Sequence, residues 1–487
     1  MIVLYETRSE LRKIESQISK LNVKNRLEVL QRLSRERLDF FGPLVMTKNG
    51  KPHKYETYEL GIIAMFSLVV DKFNNKNTEK SVWLNKTVNI VRNQLYLNEI
   101  FEKNARNGLA AIAFMQAYLK QYIMLIYRSN YLYTYKSHHL NLEQEFIDKF
   151  NTEYSEFLLL FSCVLAYAKL NNKEKLIDLL KKYTPNALNE LIIDADEFKK
   201  LYEPIHKWRD VSFVNFNFLH RYPFIKYQNN IYIPYWPAIT YAVTKSLMFD
   251  ITKGNNDLKS DIGKYAFEDY IFHITKLTKS NESCSVVKEF IYNKEHKRTS
   301  DIMVIDKNDV LLIEVKFMNY RLSLRHFDEN AIDYTESRMV ECIEQVYKNT
   351  IAIKSGEVKH NLLPEKLNDI IGIIVVLDDY YMDVESIYDT AVKKISVYDK
   401  TITSRILKET ICFTSLYVFE RIVYYASTNL VGFYHDILKV KKQYNFWEYV
   451  SEDNSQKGGI NMKEVNVLYQ KVLEDAADII KKEEDLN

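Results

Sequence analysis

Two acids and a lysine stand out in the segment Ser300 to Phe317, SDIMVIDKNDVLLIEVKF. It reads as two short apolar strands joined by the turn Asp306-Lys307-Asn308-Asp309. If that turn closes a hairpin, Ile305 faces Val310 and the numbers of every facing pair add to 615, which sets Asp301 opposite Glu314. Directly facing side chains of an antiparallel pair share a face, with Cβ atoms roughly 4.5–5.5 Å apart. Lys316 joins them, because strand side chains alternate with period two. Like charges face to face destabilise a sheet. A divalent cation is the simplest partner that would make two facing carboxylates favourable. A bulge at the turn would undo the register.

The tripeptide Glu-Val-Lys means little without its setting. Glu357-Val358-Lys359 repeats Glu314-Val315-Lys316, but it lies in a polar loop with no strand and no facing acid. Around the informative copy the elements follow a definite order. Ser260 is placed to cap a helix through about Lys276, which carries Glu268 beside the apolar stripe Phe267, Tyr270, Ile271 and Ile274. Strands follow at Val286–Tyr292, Asp301–Ile305 and Leu311–Phe317, then a helix over Thr335–Lys354 and a continuous apolar strand, Ile370–Leu377. Helix, three strands, helix and strand imply a mixed sheet flanked by helices. Ile411-Cys412-Phe413 adds a strand before a helix from Ser415 to about Ala426, and Asn461–Asn487 reads as an acidic amphipathic helix.

Upstream, residues 6–200 carry helical periodicity, with Leu11, Ile14, Ile18, Leu21, Leu27, Leu30 and Leu33 as the buried stripe of the first stretch. Phe224–Tyr227 and Ile231–Ile233 flank Gln228-Asn229-Asn230 as a small hairpin, and a helix over Ala238–Ile251 follows two prolines. The loop Lys253-Gly254-Asn255-Asn256-Asp257 marks a domain boundary. The expected divisions are a helical N-terminal domain (1–221), a hairpin with a connecting helix (222–254), a mixed-sheet core (255–400) and a mostly helical C-terminal extension (401–487).

A chain of 487 residues allows two or three domains. With 67 basic and 65 acidic residues the net charge is +2, so nucleic-acid contact would depend on local patches. Arg321, Arg325, His326 and Arg338 could contact phosphate or form a solvated face. The four cysteines, without a CxxC pair, read as reduced buried thiols, and the charged residues soon after Met1 leave no secretory signal, so a cytoplasmic location is expected. Leu60–Val70 and Phe157–Ala168 are too short to span a bilayer, so no membrane partner is expected. GxxxxGK[ST], HExxH and GxSxG are absent, and His138-His139 and Asp378-Asp379…Asp383 lack metal-site spacing.

The arrangement resembles the PD-(D/E)xK nuclease superfamily, the restriction-endonuclease-like fold of many restriction enzymes, junction resolvases and RecB-type exonucleases. Ser300-Asp301 matches the first half of the motif, with serine in the proline's place, and Glu314-Val315-Lys316 matches the second. Glu268 falls where many members carry an acid on the preceding helix, and Gln345 where several carry a polar residue on the following one. Asn349 departs from the tyrosine of the QxxxY signature. The likeness covers Ile262 to Leu377 and implies a nuclease using Mg²⁺ or Mn²⁺. It assigns Asp301, Glu314, Glu268 and the Val315 carbonyl to the metal, Lys316 to the attacking water, and Gln345 to the active site. It favours DNA over RNA as substrate, is compatible with a homodimer, and by analogy suggests restriction or anti-phage defence, with the N-terminal helices receiving a companion protein. The competing readings are a non-catalytic nucleic-acid-binding or scaffold protein on the same fold, and an RNase using the same residues.

Overall fold

The computed structural model describes residues 12–35, 57–70, 79–97, 121–170, 173–207, 218–277, 284–317, 329–377, 384–416, 419–420, 423 and 463–485. These residues form a mixed α+β protein with 17 helices and two mixed sheets. The chain divides into two compact units: Met1–Ser137, Asn141–Asn255 and Val465–Asn487 make one, and His138–Leu140 with Asn256–Glu464 make the other.

In the first unit α1 (Val23–Arg35) and α2 (Thr57–Val69) share a core through Leu27, Leu30, Ile63 and Phe66. Ile14, Ile18, Leu21, Leu27 and Leu30 of the expected stripe are buried and Leu33 partly so, while Leu11 lies outside the described residues. Arg26 is fully buried because its guanidinium donates to the Ser67 carbonyl at 3.3 Å and the Val70 carbonyl at 2.6 Å, satisfying the open C-terminal end of α2. The sheet of this unit contains β1 (Ile192–Asp194), β2 (Phe224–Tyr227) and β3 (Asn230–Tyr232). The hairpin β2–β3 lies where its turn residues placed it. The parallel strand β1 was not foreseen, since three residues are too few to show alternation. The helix read over Ala238–Ile251 is two, α3 (Ala238–Val243) and α4 (Lys245–Thr252), separated at Thr244 by a non-helical backbone (φ −121, ψ −87).

The second unit opens with a helix over Asn256–Asp261, so Ser260 lies inside it and does not cap it. The rod continues through a π-helical turn, Ile262–Phe267, into α5 (Glu268–Leu277). Five strands follow in spatial order β4 (Cys284–Lys288), β5 (Ile302–Asp306), β6 (Asp309–Lys316), β7 (Ile370–Val376) and β8 (Ile411–Ser415). The first three are antiparallel and the last two join in parallel. Parallel neighbours need crossovers, supplied by α6 (Glu329–Lys354) before β7 and by α7 (Val384–Ile395) with α8 (Ser404–Thr410) before β8. Every residue of β7 is buried, as its unbroken apolar run requires. The division expected at residue 401 is corrected here: α8 and β8 complete this unit's sheet and core, whereas Val465–Asn487 returns to the first unit. Among the described residues no helix is long and apolar enough to cross a membrane.

Candidate active site

The β5–β6 turn has two residues, with Lys307 in the left-handed region (φ 54), as tight hairpins demand. Pairing runs without a bulge from Asp306/Asp309 through Ile305/Val310 to Ile302/Ile313. One further step brings Asp301 across from Glu314. Asp301 sits in a bend just beyond β5, and its Oδ2 accepts the Val315 N–H at 2.6 Å. The Glu314 side chain is fully buried, and its Oε1 lies 2.6 Å from Lys316 Nζ. The other oxygen, Oε2, is buried without a hydrogen-bond partner. Leaving a buried acceptor unmet costs about 1–3 kcal/mol, more when it is charged. Lys316 keeps 23% of its side chain exposed, so the cluster reaches solvent through it.

Glu268 reaches the cluster from α5 through the π-helical turn. Its N–H bonds to the Gly263 carbonyl five residues back as well as to the Tyr265 carbonyl. Gly263 permits this, because a Cβ there would stand 2.8 Å from Phe317 Cβ. Phe267 packs edge-on against Phe317 with ring centres 5.2 Å apart, fixing the first turn of α5 beside the end of β6. Asp269 is ion-paired with Lys288 at the end of β4.

The electrostatics follow from burying acids together. Burial, then Asp301, Glu289 and Glu314, push Glu268 up to about 8 against the pull of Lys316. Burial and Asp301 likewise push Glu314 up to about 8, and burial raises Asp301 despite Lys316 and the Val315 N–H. Burial acts against the charged form of Lys316, but Glu314 and Asp301 overcome it and hold its pKa above the ordinary value. Such a cluster holds its protons as a group.

On α6 the buried residues Cys342, Val346 and Asn349 follow helical spacing. Burial raises the Cys342 thiol to about 12, and the charges of Lys316 and Glu314 also act on it. Asn349 contacts Ser300. Gln345, assigned to the site by resemblance, is exposed: it lies one step off the inward stripe, and Cys342 is the α6 residue that senses the cluster. Arg338 is exposed and pairs with Glu341 at 2.6 Å on its own helix. Arg321, Arg325, His326, Asp378, Asp379 and Asp383 lie outside the described residues. The repeated tripeptide behaves as its setting suggested, with Glu357 in an exposed loop 3.7 Å from Lys297. Sequence reading missed Cys342 and Glu289; the α6 periodicity was a signal for the first, and nothing marked the second.

Among the described residues no group of three or more His, Cys, Asp and Glu side chains is gathered closely enough to hold a metal. The acids meet other partners first, Glu314 the Lys316 ammonium and Asp301 the Val315 N–H. All the same, hard oxygen donors, an unpartnered buried carboxylate oxygen and raised carboxyl pKa values suit a site that takes up a small divalent cation. No protein-family model matches the chain, and no curated protein matches it.

Proposed function

We propose that this chain is a metal-dependent nuclease with a restriction-endonuclease-like core, hydrolysing phosphodiester bonds in DNA. The observation that carries the reading is the buried Glu314, with one oxygen on Lys316 and the other unpartnered, across the hairpin from Asp301 and within electrostatic reach of Glu268. Stability alone does not favour a fully buried, half-satisfied carboxylate beside two part-buried acids. Asp301, Glu314 and Glu268, with the Val315 carbonyl, would hold Mg²⁺ or Mn²⁺, which neutralises charge on the phosphoryl oxygens and leaving group.

The chain's own groups supply the rest. Lys316, part exposed and held charged, orients a water for attack on phosphorus and offsets the negative charge that builds there. As the new P–O bond forms, the ester P–O bond breaks and the departing alkoxide takes a proton. Solvent supplies that proton and takes up the one the attacking water releases, while Glu268, protonated near neutral pH without metal, gives up its proton as the cation enters. The buried β6–β7 pair keeps Glu314 and Lys316 in fixed register.

The test is cleavage of plasmid DNA, with an RNA substrate in parallel, by wild type, Asp301→Asn and Lys316→Ala in Mg²⁺ or EDTA. Metal-dependent cutting by wild type, reduced about 100-fold or more in both variants, is expected. Equal cutting by all three would remove these residues from the mechanism. Preferential cutting of RNA would change the substrate, and metal-independent binding without cutting would favour the interaction-protein reading.

A further inference from the structure

We infer that Asn349 is a positioning residue for Asp301, holding the β5–β6 ladder open at the step where Asp301 leaves it. For its catalytic consequence the inference rests on the nuclease reading. Bonded and non-bonded pairs alternate along an antiparallel hairpin. Val315 N–H points towards β5, so the bonded positions are Asp306/Asp309, Val304/Leu311 and Ile302/Ile313, and the next would be Ser300/Val315. That pair does not form its mutual bonds. Val315 N–H goes to the Asp301 carboxylate at 2.6 Å. With the Asn349 amide turned as the donors and acceptors around it require, its oxygen accepts the Ser300 N–H at 2.9 Å and the Ser300 hydroxyl at 3.1 Å. The Asn349 amide nitrogen donates to the Arg298 carbonyl at 3.0 Å.

The other edge of the segment is tied to the end of β4, where Thr299 N–H reaches the Phe290 carbonyl at 3.1 Å and Glu289 N–H the Asp301 carbonyl at 2.8 Å. Asn349 is 4% exposed and Ser300 fully buried, so water does not readily replace these bonds. Without the amide, Ser300 N–H and the Arg298 carbonyl lose their anchor, the segment carrying Asp301 loosens, and its carboxylate releases the Val315 N–H more often. Asn349 therefore acts on Asp301 through the backbone.

The experiment compares full-length wild type, Asn349→Ala and Asn349→Asp. Asn349→Asp keeps the acceptor for Ser300 and loses the donor to Arg298. Hydrogen exchange of the metal-free proteins is followed on peptides containing Ser300 and Val315, and Mn²⁺ is titrated into the cleavage reaction. Asn349→Ala should exchange faster at those peptides while β7 keeps its protection. Its half-saturating Mn²⁺ should rise about 10–100-fold, the usual effect of losing a partner that orients a metal ligand, with the rate at saturating Mn²⁺ within about twofold of wild type. Asn349→Asp should fall between the two. Unchanged exchange at Val315, or faster exchange throughout the sheet with a lower saturated rate, would overturn the positioning role. A wild type that neither cuts nor responds to Mn²⁺ would sink the nuclease reading, while the exchange comparison would still decide the role of Asn349.

Discussion

At Lys316 two effects oppose each other: burial disfavours the ammonium, and Glu314 with Asp301 favours it. The acids win, so removing the lysine removes their counter-charge. Lys316→Met should lower metal-free stability by about 3 kcal/mol at pH 8, the order found when one partner of a buried ion pair is lost, as read by urea unfolding. Glu314→Gln keeps the shape and removes a poorly tolerated charge. The metal-free variant should melt no lower than wild type while cleavage is lost, the stability–activity opposition expected of a functional site. A melting point several degrees below wild type would mean that Glu314 is chiefly structural. Asp301, Glu314 and Lys316 were legible because a two-residue turn fixes hairpin register arithmetically. For Gln345 the alignment of a motif says nothing about helix phase: Cys342, Val346 and Asn349 set the inward stripe of α6, and Gln345 falls beside it, exposed.

Among the elements, α6 carries the most constraints. It lies so close to β7 that a Cβ on Gly372 would stand 2.2 Å from Val346 Cγ1 and 3.2 Å from Ile411 Cγ1. Gly372→Ala should cost about 1–3 kcal/mol by overpacking, seen as a lower urea midpoint with an unchanged slope. The same helix is joined to α7 through Glu344, which lies 2.7 Å from Lys348 and 2.6 Å from Lys394. Burial pushes the Glu344 carboxyl up, but bonds from both lysines outweigh it and hold the group below the ordinary range. A lowered carboxylate pKa adds stability above the unfolded value near 4.5, and that stability is lost as pH falls through the folded value. Glu344→Gln should therefore cost up to about 1 kcal/mol at pH 7, a deficit that shrinks as pH falls below the unfolded value; a deficit unchanged in acid would contradict the charge argument. The long apolar strands β6 and β7 could be read from the sequence. The π-helical turn could not, because six residues leave no periodic mark, and it depends on Gly263 meeting Phe317, a contact distant in sequence.

Across the molecule the division falls between Asn255 and Asn256, inside the polar loop, where Lys253 is exposed and Gly254 has φ 79. Exposed loop tips are favoured sites of proteolysis. Brief trypsin treatment should nick after Lys253 and give two fragments that separate under denaturing conditions. They should co-elute under native conditions, because Val465–Asn487 belongs to the first unit although it follows the second in sequence. Fragments that separate in native buffer would contradict that membership. The loop was readable from its composition. The return of the C-terminal helix was not, since its buried Val465, Val472 and Ala476 show an apolar stripe without showing which unit it joins.

Whether the hairpin acids form a cation site is read from anomalous diffraction of a crystal soaked in Mn²⁺. A peak is expected between Asp301 and Glu314, with Lys316 Nζ displaced from Glu314 Oε1 and no such peak in Asp301→Asn. An empty position at saturating Mn²⁺, with the Lys316–Glu314 ion pair intact, would contradict it.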